Sequence, residues 1–157
     1  MPLTTSQLQT LKAAALADPT AAAFLAAGND TELGWWFNAE ASPTFYIWDS
    51  NYTPDKLRRA INNGITQLDA LTASKRDSLL WWAGGTHDMG QSAERAAADD
   101  LTGSQNTLKA AVLDGAKVKA RVVEKALATG TGSFASPAVA GFTGTLSLTN
   151  VAEIREA

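Results

Sequence analysis

A chain of 157 residues can bury about two thirds of its unfolded surface in one domain and needs no covalent staple. It has no cysteine and a net charge of −3. That excludes a disulfide framework, thiolate chemistry and Cys-based zinc sites, and gives bulk electrostatics no pull toward nucleic acid, membrane or acidic substrates.

No run reaches the about eighteen apolar residues that span a bilayer. The segment MPLTTSQLQTLKAAALADPT lacks a basic start and an unbroken apolar stretch, so no signal peptide is expected. The absence of cysteine fits a reducing cytoplasm. Abundant alanine lowers the cost of helix formation, and the expected class is a mainly α domain.

Thr4 and Gln7 have capping-box spacing, with Leu8, Leu11 and Ala15 following on one helical face. Asp18-Pro19 breaks this helix, because proline disfavours helical geometry in the residue before it. A short second helix with Phe24 and Leu25 ends at Gly28, and Asn29 with Glu32 opens a third carrying Leu33, Trp36 and Phe37. Phe45-Tyr46-Ile47-Trp48 reads as a brief extended run. Thr53 as N-cap, Pro54 at N1 and Asp55 in the first turn mark the next start, with Leu57, Ala60 and Ile61 inward and Gly64 as the stop.

Thr72 caps a helix that carries Leu79, Leu80 and Trp81-Trp82 to Gly84-Gly85. A loop over 86–91 precedes helices at 92–101 and 108–113, and Asp114-Gly115 is expected to turn the chain. Residues 116–128 read as one helix with Val118, Val122 and Ala126 inward. From Gly130 to Leu148 there is no charge, and Gly, Ser and Thr dominate. Residues 142–148 partly alternate with period two, as a strand would. The expectation is a helical bundle over 1–129, then an extended arm or β-hairpin at about 130–148. Asn150 and Glu153 cap a short terminal helix, all within one domain.

Chemistry-bearing residues are few. His87, the only histidine, sits in Gly84-Gly85-Thr86-His87-Asp88-Met89-Gly90. Adjacent His and Asp could serve a metal or a general base, yet no second histidine completes a usual ligand set and nothing nominates a nucleophile. Gly130 and Gly132 follow a helix and precede no lysine, so they do not form a phosphate loop. Asp49, Asp69 and Asp99-Asp100 are scattered carboxylates with no pairing signal.

Lys117, Arg121 and Lys125 repeat every four residues, which on a helix makes one stripe. That stripe is either a solvated face or a surface for phosphates or an acidic partner. The five tryptophans include the pairs Trp35-Trp36 and Trp81-Trp82. Neighbours on a helix diverge by about 100°. One ring of each pair can face the core while the other covers a second helix or anchors a subunit interface. Trp36 and Trp82 are the candidate interface members, with Phe134, Val139, Phe142, Leu146 and Leu148 along the arm.

The opening Leu3-Thr4-Thr5-x-Gln7-Leu8-x-x-Leu11-Lys12-Ala13-Ala14, followed by Ala17-Asp18-Pro19, resembles small virion-associated proteins of tailed bacteriophages. So does the closing run Ala126-Leu127-Ala128-Thr129-Gly130-Thr131-Gly132, with Ser136-Pro137-Ala138 and Phe142-x-Gly144-x-Leu146-Ser147. These segments lie at the two ends of the chain, and the middle has no counterpart. The proteins concerned are neck components, the head-to-tail connectors or adaptors that build a ring beneath the portal.

The resemblance implies a helical bundle with an arm, commonly a dodecamer, with no enzymatic activity and no cofactor. It implies itself, the portal protein and a tail terminator or other neck protein as partners, no membrane, and a place in the virion neck after assembly in the host cytoplasm. A basic stripe facing the channel would meet packaged DNA without sequence preference. Two other readings are a tail terminator or head-completion protein and, in a different class, a small hydrolase or metal-dependent enzyme using the His87 loop. A DNA-binding module built on the basic helix is a further one.

Overall fold

Thr4 and Gln7 close both halves of the expected capping box. Thr4 Oγ1 accepts from Gln7 N at 3.2 Å, and Gln7 Oε1 accepts from Thr4 N at 2.9 Å. They open α1 (Thr5–Ala17) in the computed structural model, which describes residues 2–157. Asp18 ends α1 and caps α2 (Pro19–Ala27), its carboxylate accepting from Thr20 N and Ala21 N. Pro19 fills the first helical position, where no N–H is needed. Gly28 closes α2 with φ 65°, a conformation glycine adopts without steric cost. Asn29 then caps α3 (Asp30–Asn38).

The remaining elements are β1 (Tyr46–Trp48), α4 (Pro54–Asn63), α5 (Ile65–Leu68), α6 (Ala73–Trp82), α7 (Ser92–Thr102), α8 (Asn106–Gly115), β2 (Lys117–Lys119), α9 (Val122–Ala126) and α10 (Leu148–Glu156). Among the described residues the fold is mainly helical, 58% in ten helices, with β1 and β2 as a two-stranded antiparallel sheet. No helix among the described residues is long and apolar enough to cross a membrane.

The chain divides into two compact units, Met1–Ile47 with Lys119–Ala157, and Trp48–Val118. The boundary expected near residue 129 falls inside the first unit. There, α1 packs on α2, α9 and α10, and α3 packs on α2, α9 and α10. Leu11, Ala15, Leu33, Phe37, Val123, Val151 and Ile154 share one core, each large side chain contributing about 1.5–3 kcal/mol by leaving water. Arg155 forks onto both carboxylate oxygens of Asp30 at 2.8 and 2.9 Å, and Lys12 Nζ donates to Arg155 O at 2.9 Å. The two ends of the sequence are thereby fastened together.

In the second unit α8 is central, packing on α4, α5 and α7, while α6 packs on α7. Gln67 of α5 reaches the start of α8, its Oε1 accepting from Thr107 N at 2.8 Å and Leu108 N at 3.0 Å. It thus satisfies two of the donors that every helix leaves open. Tyr52 is fully buried, and its hydroxyl donates to Val112 O at 3.0 Å. A Cβ on Gly115 would stand 2.6 Å from that hydroxyl, so glycine is required beside it.

Burial, reinforced by the Asp49 carboxylate, holds the Tyr52 phenol well above its ordinary value. A raised folded value means that Tyr52 contributes its full share of stability below the unfolded value of about 10 and loses it as pH rises beyond. Urea midpoints measured from pH 8 to 11 are therefore expected to fall at the alkaline end, and Tyr52→Phe is expected to flatten that fall. An equally steep fall in the variant would contradict the assignment.

Three expectations are corrected. Residues 116–128 are not one helix. Ala120 N donates to Phe45 O and Ala120 O accepts from Ala41 N at 2.9 Å, so tertiary pairing takes that backbone out of helical geometry. Lys117-Val118-Lys119 alternates as a strand does, and β-branched Val118 suits it. The expected strand at 142–148 is absent. Between α9 and α10 the backbone is irregular, and the expected hairpin is reduced to one antiparallel bridge, Thr129 with Val139, beside a parallel bridge from Ala138 to Ile47. The terminal helix also starts earlier than expected, because Ser147, with Asn150 as its capping-box partner, is the N-cap.

Candidate functional site

Helical phase decides which tryptophan of each pair is available. On α3, Leu33 and Phe37 are buried and Trp36 lies against the same core, edge-on to Phe37 at 4.9 Å. Trp35 points away and is 67% exposed. On α6, Leu79 and Trp82 are buried while Trp81 is 84% exposed and Leu80 49%. The expected interface members, Trp36 and Trp82, are thus the inward rings, and the rings offered to solvent are Trp35 and Trp81. Trp82 stands three residues after buried Leu79, on the same helical face, which turns Trp81 outward.

The candidates between α9 and α10 separate in the same way. Phe134 and Val139 are half-exposed, with Phe134 edge-on to Tyr46 at 5.1 Å, and Leu148 is exposed in the first turn of α10. Phe142 packs on the first unit's core. Leu146 is buried, and Asn38 grips its backbone twice, donating to its carbonyl at 3.0 Å and accepting from its N–H at 2.8 Å. Leu146 is a fixing point of its own unit and is not offered to a partner.

Lys117, Arg121 and Lys125 do not form one helical stripe. Lys117 is in β2, pairs with Asp114 at 2.6 Å and lies 6.0 Å from the Trp48 ring. Arg121 precedes α9 and reaches Glu124 at 3.4 Å. Lys125 is within α9 and stands over Phe45 at 5.8 Å. Their four-residue spacing carries no common face, because strand and turn intervene.

Glu124 is the principal buried charge of this region, 5% exposed. Its Oε2 accepts from Arg121 N at 2.8 Å and its Oε1 from Gly144 N at 3.0 Å. One carboxylate therefore caps α9 and fastens the irregular stretch onto it, with charge-assisted bonds stronger than neutral ones. The signal that could have found it is a glutamate at the third helical position.

The same unit holds a recess of about 500 Å³. Trp36 and Val122 form larger walls, and Ala14, Ala17, Ala41 and Ala126 leave the space open. Lys125, Asp18 and Glu40 stand around it. Asp18 is occupied as the cap of α2, and Glu40 pairs with Lys119 at 3.0 Å.

His87 belongs to a closed polar set in the second unit. Its ring stacks on Trp82 at 4.1 Å, Nε2 donates to Trp82 O at 2.8 Å, and Nδ1 lies 2.9 Å from Glu94 Oε2. That same carboxylate oxygen accepts from Trp82 Nε1 at 3.3 Å. His87 and Tyr52 also exchange both backbone hydrogen bonds. Both imidazole nitrogens are engaged, so none is presented to a substrate, and the ring fastens the loop after α6. Among the described residues no group of three or more His, Cys, Asp or Glu side chains could hold a metal ion. Comparison with protein-family models, with curated proteins and with solved structures gives no match.

Proposed function

We propose that this chain is a structural protein of a tailed-phage virion, a head-to-tail connector that assembles with copies of itself into a ring between portal and tail. One observation carries the reading. The two segments that resemble neck proteins lie at opposite ends of the sequence, yet they build the same compact unit. Leu11 and Ala15 of α1 share a core with Phe142 and Leu146, and Gln7 Nε2 donates to Gly141 O at 3.2 Å. A resemblance spread over unrelated surface positions would not join one core.

The surface supports the same reading. Trp35, Trp81 and Leu148 expose large apolar area, and aromatic side chains of this kind are what protein interfaces bury. The enzyme alternative finds little support in the His87 set, whose nitrogens are both bound within the fold.

The test is composition of purified virions. The chain is expected at a fixed ratio to the portal protein and retained when tails are removed. Its absence from virions contradicts the reading, and departure with isolated tails shifts it to the tail-terminator alternative.

A further inference from the structure

The second unit presents a projecting aromatic and the first unit presents an open recess, so each copy carries both halves of a possible contact. Trp81 is 84% exposed, with Leu80 beside it at 49%, and a side chain of this size offers about 200 Å² for burial. The recess of about 500 Å³ has the volume of an ordinary ligand-sized site. It is lined by Trp36 and by alanines whose small side chains leave it open.

One pair of charges is complementary: of the three charged residues around the recess, Asp18 is held by the first amides of α2 and Glu40 by Lys119, which leaves Lys125. Asp77 precedes Trp81 by one helical turn and therefore lies on the same face. It is exposed and forms no ion pair among the described residues. Lys125 at the recess likewise forms none there and stands over the Phe45 ring.

We propose that Trp81 of one copy inserts into the Trp36-walled recess of a second copy, with Asp77 of the first meeting Lys125 of the second. The contact joins two different surfaces and is therefore heterologous, which generates a ring when the rotation closes. It rests on the connector reading and names the partner surface within it. Trp81 is the anchor, because a central aromatic in a desolvated pocket carries most of the binding energy. The Asp77–Lys125 pair sits at the rim and sets orientation more than affinity.

The test uses the whole chain in sedimentation velocity across a concentration series. Trp81→Ala is expected to weaken self-association by about thirtyfold or more. Ala17→Trp, at an exposed position lining the recess, is expected to fill it and to block assembly equally. Each variant retains the half the other lacks, so an equal mixture is expected to give a one-to-one dimer and nothing larger. Asp77→Lys and Lys125→Glu are each expected to weaken association by about threefold, as rim charges do, and together in one chain to restore it.

If the unaltered chain assembles and Trp81→Ala assembles as tightly, this contact is wrong and the connector reading stands. If Trp81→Ala self-assembles normally but no longer binds portal-bearing heads, Trp81 belongs to the portal contact and the proposal is overturned. If the unaltered chain does not self-associate, the proposal and the ring reading fall together.

Discussion

Gly64→Ala is expected to destabilise the protein by about 3 kcal/mol, the upper end of overpacking costs. A Cβ at this position would stand 2.6 Å from Leu108 Cα and 3.1 Å from Leu108 Cβ. The obstacle is backbone, so no rotamer change relieves it, and α8 must move away from the α4–α5 junction. Gln67 lies three residues on and holds the first amides of α8, so a shift of α8 also strains both of those bonds. Each is worth about 1 kcal/mol. Urea unfolding is expected to show a lower midpoint at unchanged slope. A midpoint equal to that of the unaltered chain would show that α8 does not lie this close to Gly64.

Glu124→Ala is expected to cost a similar amount, about 3 kcal/mol, because it leaves the amides of Arg121 and Gly144 without their charged acceptor. Glu124→Gln separates acceptor loss from charge loss. Its single carbonyl oxygen can serve one of the two amides, while its NH2 group faces the other donor, so about half the cost is expected. Hydrogen exchange gives the local reading. Protection of the Gly144 amide is expected to collapse in Glu124→Ala, and undiminished protection would contradict the role assigned to this carboxylate.

Several of the helices that announced themselves have ends closed by their own neighbours in sequence, and α4 announced itself through Pro54 at its first position although Thr53 makes no side-chain cap bond. Thr4, Asp18, Asn29 and Thr72 each cap with residues two or three positions away, so the signal and its partner lie in one short window. Where the partner is distant the local pattern misleads. Ala120 bonds to Phe45 and Ala41, and that long-range pairing converts an apparent helix over 116–128 into strand, turn and short helix. The expected strand at 142–148 fails for the same reason, since Glu124 and Asn38 hold Gly144 and Leu146 through side chains.

The tryptophan pairs are a different case, because the needed information was local. Leu33 and Phe37, and Leu79 and Trp82, already fix which face turns inward, and their phase assigns Trp35 and Trp81 to solvent. The recess beside Trp36 was not legible. It is built from alanines on α1 and α9 together with residues that follow α3, and their small volume matters only once those elements are packed.

The claim that this chain works by assembling with itself is tested most directly by its native mass in solution, measured over a range of concentrations. The account predicts a discrete closed species of about twelve copies, formed by the intact chain without cofactor. A protein that stays monomeric or dimeric at every concentration would contradict it.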